Sequence, residues 1–162
     1  MIHGSANLTG TSELLYSPAI QAFARELSRE IGFDRSVEEK ILIAIEEAVI
    51  NVIKHAFEST EQSFQICFEP SATGIRIIIK YMGLPHDPGL IPEYEPPKDM
   101  EEMPSKGLGS FIMRKCVDEV LFCNLGKGVK ELHLIFHVSK EGAPKGLSCW
   151  RSKTPGGPLP LE

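Results

Sequence analysis

The stretch from Ser36 to about Phe57 constrains this chain more than any other. Ile41, Leu42, Ile43, Ala44, Ile45, Ala48, Val49, Ile50, Val52, Ile53, Ala56 and Phe57 make a segment apolar on most sides. A helix of that kind must be largely buried, so the chain has to fold around it. Ser36 stands three residues before Glu39, the spacing of a capping box, which predicts where the helix starts. Its polar exceptions therefore carry information. Glu47, Asn51 and Lys54 follow one another at four- and three-residue steps and form a single stripe, which His55 and Glu58 extend.

A chain of 162 residues matches the length of one domain, and 42% apolar with 24% charged residues is ordinary globular composition. The net charge of −5 argues against a duplex nucleic-acid binder. No apolar run has the length of a membrane span, and no N-terminal signal pattern is visible. The four cysteines, at 67, 116, 123 and 149, show no knuckle or redox spacing. They read as small buried hydrophobes in a reducing cytoplasm. His133 and His137 share a strand face, but two histidines without a third ligand make a weak metal case.

Other elements follow from periodicity. Ile20, Phe23, Ala24, Leu27 and Ile31 mark an amphipathic helix from Ser17, with Pro18 in its first turn and Gly32 as its stop. Ser63–Glu69 and Gly74–Tyr81 read as strands, and a short strand is expected around Ile2–Leu8. Six of the twelve prolines fall between Pro85 and Pro104, where no regular element fits. A helix from Leu108 to Asp118 and a hairpin of Val120–Asn124 with Val129–Val138 complete the order. Residues 140–162 are rich in proline and glycine and predict a mobile tail beyond a domain at 1–139. Strands grouped with helices outside them predict an α+β two-layer sandwich.

Three clusters can carry chemistry. Glu47 and Asn51 lie in an apolar helix and need satisfaction. They read either as partly exposed groups or as the floor of a polar cleft, where Glu47 polarises a proton and Asn51 gives an oxygen to Mg²⁺. Gly107-Leu108-Gly109-Ser110 opens a helix and reads either as a flexible turn or as an anion site. Gly83-Leu84-Pro85-His86-Asp87-Pro88 follows a β-branched strand and reads either as a turn or as a place where a flat ligand lies.

In their joint order, Glu-Ala-Val-Ile-Asn-Val-Ile-Lys-His-Ala (47–56), Gly-Leu-Pro-His-Asp-Pro (83–88) and Gly-Leu-Gly-Ser-Phe-Ile-Met-Arg-Lys-Cys-Val-Asp-Glu-Val (107–120) resemble the Bergerat-type (GHKL) ATPases. The branch they look most like is the anti-sigma-factor serine/threonine kinases of the RsbW and SpoIIAB type. The resemblance covers roughly residues 15–138. It implies a mixed sheet with helices on one face, ATP and Mg²⁺ as cofactors, and Glu47 as the catalytic carboxylate. Asn51 would be the metal ligand and Lys54 a phosphate neighbour. Tyr81, Gly83 and Asp87 would lie at the base, with a lid from about Pro88 to Lys106. Lys106, Gly107, Leu108, Gly109 and Ser110 would line the phosphates. Tyr81 departs from the family, whose members usually carry an acidic residue there that reads the adenine amino group.

The partners implied are a small STAS-type antagonist of an anti-sigma factor, a sigma factor as a second candidate, and a second copy in a homodimer; nucleic acid and membrane are not implied. Two other readings stay open. One is a non-catalytic partner-binding module of the same fold, motivated by Tyr81. The other is the ATPase part of a sensor histidine kinase, disfavoured because no upstream helix with a phosphoacceptor histidine is seen.

Overall fold

A computed structural model of the chain describes residues 4–58, 61–83, 107–138 and 150–153, the last of these in backbone course only. The elements in chain order are β1 (Ala6–Thr11), a 3-10 turn (Leu14–Tyr16), α1 (Ser17–Ile31), α2 (Arg35–Asn51), a π-helical turn (Val52–Ala56), β2 (Ser63–Ser71), β3 (Gly74–Met82), α3 (Leu108–Cys116), β4 (Glu119–Gly126), β5 (Val129–His137) and β6 (Trp150–Lys153). One sheet holds all six strands in the order β1-β2-β3-β5-β4-β6. The first five pair antiparallel, and β6 lies parallel to β4. This is the α+β two-layer sandwich, with a mixed sheet, that the element order predicts.

Several boundaries differ from expectation, each for a local reason. Asp34, not Ser36, caps α2, its Oδ1 accepting the Val37 N–H at 2.9 Å. An aspartate two residues upstream of Ser36 caps the earlier Val37 N–H, so the helix starts two residues sooner. β1 lies at Ala6–Thr11 rather than Ile2–Leu8, because its register on β2 runs from Ala6 opposite Phe68 to Thr11 opposite Ser63. The tail expected from 140 onward contributes β6, which runs beside Val120–Cys123 of β4. A sheet edge presents unpaired N–H and C=O groups, and such an edge accepts a strand with little regard to its side chains.

The core lies between α1, α2 and one face of the sheet. Alternation along each strand puts every second residue on that face. Register then lines them up in rows across the strands. Phe68, Ile77, Leu134 and Val120 make one row, and Ile66, Ile79, Leu132 and Phe122 the next. Both are buried against Ile41, Ile45, Ala48 and Val52 of the second helix and its extension. A third row, Phe64, Tyr81, Lys130 and Asn124, ends the core-facing side of the sheet near Gly83. There the apolar pattern breaks.

α1 is fastened to α2 at two places. Gln21 Nε2 donates to the Leu42 carbonyl at 3.0 Å. Farther along, the nearly buried Glu38 carboxylate accepts from Arg29 Nε at 3.0 Å, with Arg25 Nε 3.5 Å away. Among the described residues, Cys67, Cys116 and Cys123 form no disulfide. On the opposite sheet face His133 Nε2 lies 2.9 Å from Glu131, and His137 Nε2 lies 3.1 Å from Glu119. Among the described residues no three histidine, cysteine or acidic side chains gather as a metal site. No described helix is long and apolar enough to cross a membrane.

Candidate functional site

α2 and the start of α3 bring two of the sequence clusters together. Asn51, at the end of α2, donates from Nδ2 to the Ser110 hydroxyl at 3.3 Å. One turn earlier Glu47 lies against Gly109, so close that a methyl group at 109 would overlap its Oε2. Glycine at 109 is thus the condition for carboxylate and helix start to meet. Gly107 precedes α3 with φ 87°, a left-handed conformation that a side chain disfavours. It turns the chain so that α3 opens beside Glu47 and Asn51. The first amides of a helix lack intrahelical acceptors and carry the positive end of its dipole. Ser110 is buried, and Leu108 half-buried, at this end.

The electrostatics of Glu47 suit a proton acceptor. Burial is the main cause that lifts its carboxyl above the ordinary range; Glu46 adds to the rise, and Lys54 opposes it. Lys54 itself is exposed. The stripe expected from α-helical spacing does not continue to it unchanged, because α2 gives way to the π turn at Val52. A π turn holds more residues per revolution, so Lys54 is rotated relative to Asn51. His55 is exposed in the same turn.

Gly83 marks the other end of the cleft. A methyl group there would overlap the carbonyl oxygen of Ala56, the last residue of the π turn. Its N–H donates to the Gly128 carbonyl at 3.2 Å, which ties the exit of β3 to the β4–β5 turn. Tyr81, two residues earlier, is buried, and burial pushes its phenol up to about 12. Its hydroxyl stays protonated at neutral pH and can donate one hydrogen bond and accept others. Asp87 and Lys106 lie outside the described residues.

Lys130 was not among the residues singled out from sequence. It is the cross-strand partner of Tyr81 and only 3% exposed. Its Nζ donates to Asn124 Oδ1 at 3.2 Å, and that oxygen also accepts the Gly126 N–H at 3.1 Å. Among the described residues Lys130 makes no ion pair. A signal for it existed: in Val129–His137 the positions 130, 132, 134 and 136 alternate inward, and 130 is the one polar member.

The fold is a two-layer sandwich whose second helix brings a carboxylate and a carboxamide against a glycine-opened helix start. The model of the histidine kinase-like ATPase domain matches residues 11–136, and the chain belongs to that family. Among curated proteins none matches it. A solved structure of the RsbU and RsbW domains of Rv1364c from Mycobacterium tuberculosis is similar in fold, with a TM-score of 0.57 at 18% identity. The similarity takes in 82% of this chain and 32% of that one, so the chain spans about a third of its structural neighbour.

The residues fit a magnesium-bound polyphosphate. Asn51 offers a carboxamide oxygen and Glu47 a carboxylate, the hard oxygen donors that Mg²⁺ prefers. Gly107 brings no side chain to the start of α3, while the surface of Gly109 is taken by the Glu47 carboxylate. Beside Gly83, Lys130 brings a donor-only group and Tyr81 a hydroxyl that can donate or accept.

Proposed function

We propose that this chain is a nucleotide-dependent protein serine/threonine kinase of the anti-sigma-factor type, with residues 1–139 as its ATPase unit. It acts in the cytoplasm on a small STAS-type antagonist protein. The observation that carries this reading is the meeting of Glu47 and Asn51 with the Gly107–Ser110 turn. The RsbW domain of the similar structure motivates the partner class, and a sigma factor is the second partner the same likeness suggests. The homodimer is carried forward on the family resemblance alone.

In the proposed reaction Glu47 accepts the proton of a partner serine hydroxyl. The serine oxygen bonds to the γ-phosphorus of the nucleoside triphosphate as the bond to the β–γ bridging oxygen breaks, and the diphosphate leaves. The α3 amides hold the phosphate oxygens by preorganised dipoles that need no reorientation during transfer. Asn51 would hold Mg²⁺, which supplies charge neutralisation at the phosphates.

The decisive experiment incubates the full chain with γ-labelled nucleotide, Mg²⁺ and a STAS-domain protein that binds it. Label on a partner serine, lost in E47Q, is the expected result. Stable complex formation without transfer would reject the kinase and favour the partner-binding module, a reading that the donor-lined base end also motivates.

A further inference from the structure

The base end of the cleft has a chemistry of its own. Among the described residues of β2–β5, the row Phe64, Tyr81, Lys130 and Asn124 is the only one on the core-facing side of the sheet with polar side chains. Tyr81 and Lys130 are each 3% exposed. An ammonium has three N–H donors and no acceptor. Of these, the described residues satisfy one, through Asn124 Oδ1. Among the described residues the Tyr81 hydroxyl has no hydrogen-bond partner and no carboxylate pairs with Lys130. A buried cation left short of acceptors is costly, and a ligand carbonyl would supply one. The row stands directly before Gly83, which the Ala56 carbonyl and the Gly128 carbonyl hold in place.

Purine bases differ here in polarity. Adenine shows an amino donor at its six position, whereas guanine and hypoxanthine show a carbonyl acceptor. An aspartate would accept from the amino group; an ammonium can only donate, which suits the carbonyl, and a phenol can donate to it as well. Resting on the nucleotide-cleft reading above, we propose that Tyr81 and Lys130 set the base specificity of this site for a 6-oxopurine nucleoside triphosphate over ATP. Lys130 supplies the donor, Asn124 holds its Nζ in position, and Tyr81 closes the floor beside it. Lys130 offers an adenine amino group no acceptor and leaves it only the weak one of the Tyr81 phenol, and mispairing of this kind discriminates between otherwise similar ligands.

The test is calorimetry on the full chain with Mg²⁺ and, in turn, inosine, guanosine and adenosine triphosphates. Inosine and adenosine triphosphates differ at the six position and its neighbouring ring proton, so no substitution is needed for the main comparison. Inosine and guanosine triphosphates should bind about tenfold or more tightly than ATP, the effect of one charge-assisted hydrogen bond. K130M, with its fold checked by circular dichroism, should bring the inosine and adenosine affinities together. ATP binding as tightly as inosine triphosphate, or a preference unchanged in K130M, would overturn the assignment and leave the cleft intact as a nucleotide site. No heat with any triphosphate would overturn the nucleotide reading itself.

Discussion

The Asn51 side-chain amide and the Ser110 hydroxyl are 3.3 Å apart, although 59 positions separate them in the chain. Their bond joins the end of α2 to the first turn of α3. Removing the amide in N51A leaves a hydroxyl in a 4%-exposed environment without its donor. We expect a loss of about 1–3 kcal/mol, as for an unsatisfied buried polar group. In a double-mutant cycle with S110A, denaturant unfolding should return a coupling of about 0.5–1.5 kcal/mol. N51D, which keeps an oxygen, should retain more Mg²⁺-dependent nucleotide binding than N51A.

Glu47 links stability to pH in a definite direction. Its folded-state carboxyl is raised, mainly by burial. The folded chain therefore holds this proton more tightly than the unfolded chain. The associated stability is present below the ordinary carboxylate range and is lost as pH rises through the raised value. E47Q removes the titration. Its melting temperature relative to wild type should be higher at about pH 8 than at about pH 4. Phosphoryl transfer should fall roughly 10²–10⁴-fold, the usual loss on removing a general base.

Two glycines in the cleft should respond in opposite ways to alanine. At 83 the added methyl meets the Ala56 backbone carbonyl, which cannot move without its helix. G83A should destabilise by about 1–3 kcal/mol, as other overpacked sites do. At 109 it meets the end of the Glu47 side chain, which can rotate away, and alanine favours a helix. G109A should melt close to wild type yet lose transfer, because Glu47 is displaced. Thermal melts and transfer assays on both proteins separate the two cases.

The α2 cap gives a prediction independent of function. D34A removes the acceptor of the Val37 N–H and should cost about 0.5–2 kcal/mol. S36A, aimed at the cap expected from the sequence, should cost less. Urea unfolding of the pair decides which serine or aspartate starts the helix.

The long helix and the paired strands could be read from spacing, because apolar periodicity is a local signal; the meeting of Glu47 with Gly109 followed only from the family resemblance of the ordered motifs. Asp34 was missed because two capping patterns overlapped within three residues. β6 was missed because a strand that adds to an open edge is specified by the edge and by little in its own residues. Lys130 stood in plain sight at an inward position of β5. Its partnership with Tyr81 depends on the register of β3 on β5, which neither strand states alone. The place of Lys54 depended on a helix changing its pitch.

That change of pitch carries a consequence for sequence variation. A π turn is an α-helix that has absorbed one surplus residue. Deleting a single position within Val52–Ala56 would let the spiral rewind without breaking it. Every side chain beyond the deletion would then swing around the axis, and the last residue would draw back from Gly83. Length here, rather than residue identity, is what sets Asn51 and Glu47 against α3 while Ala56 meets Gly83.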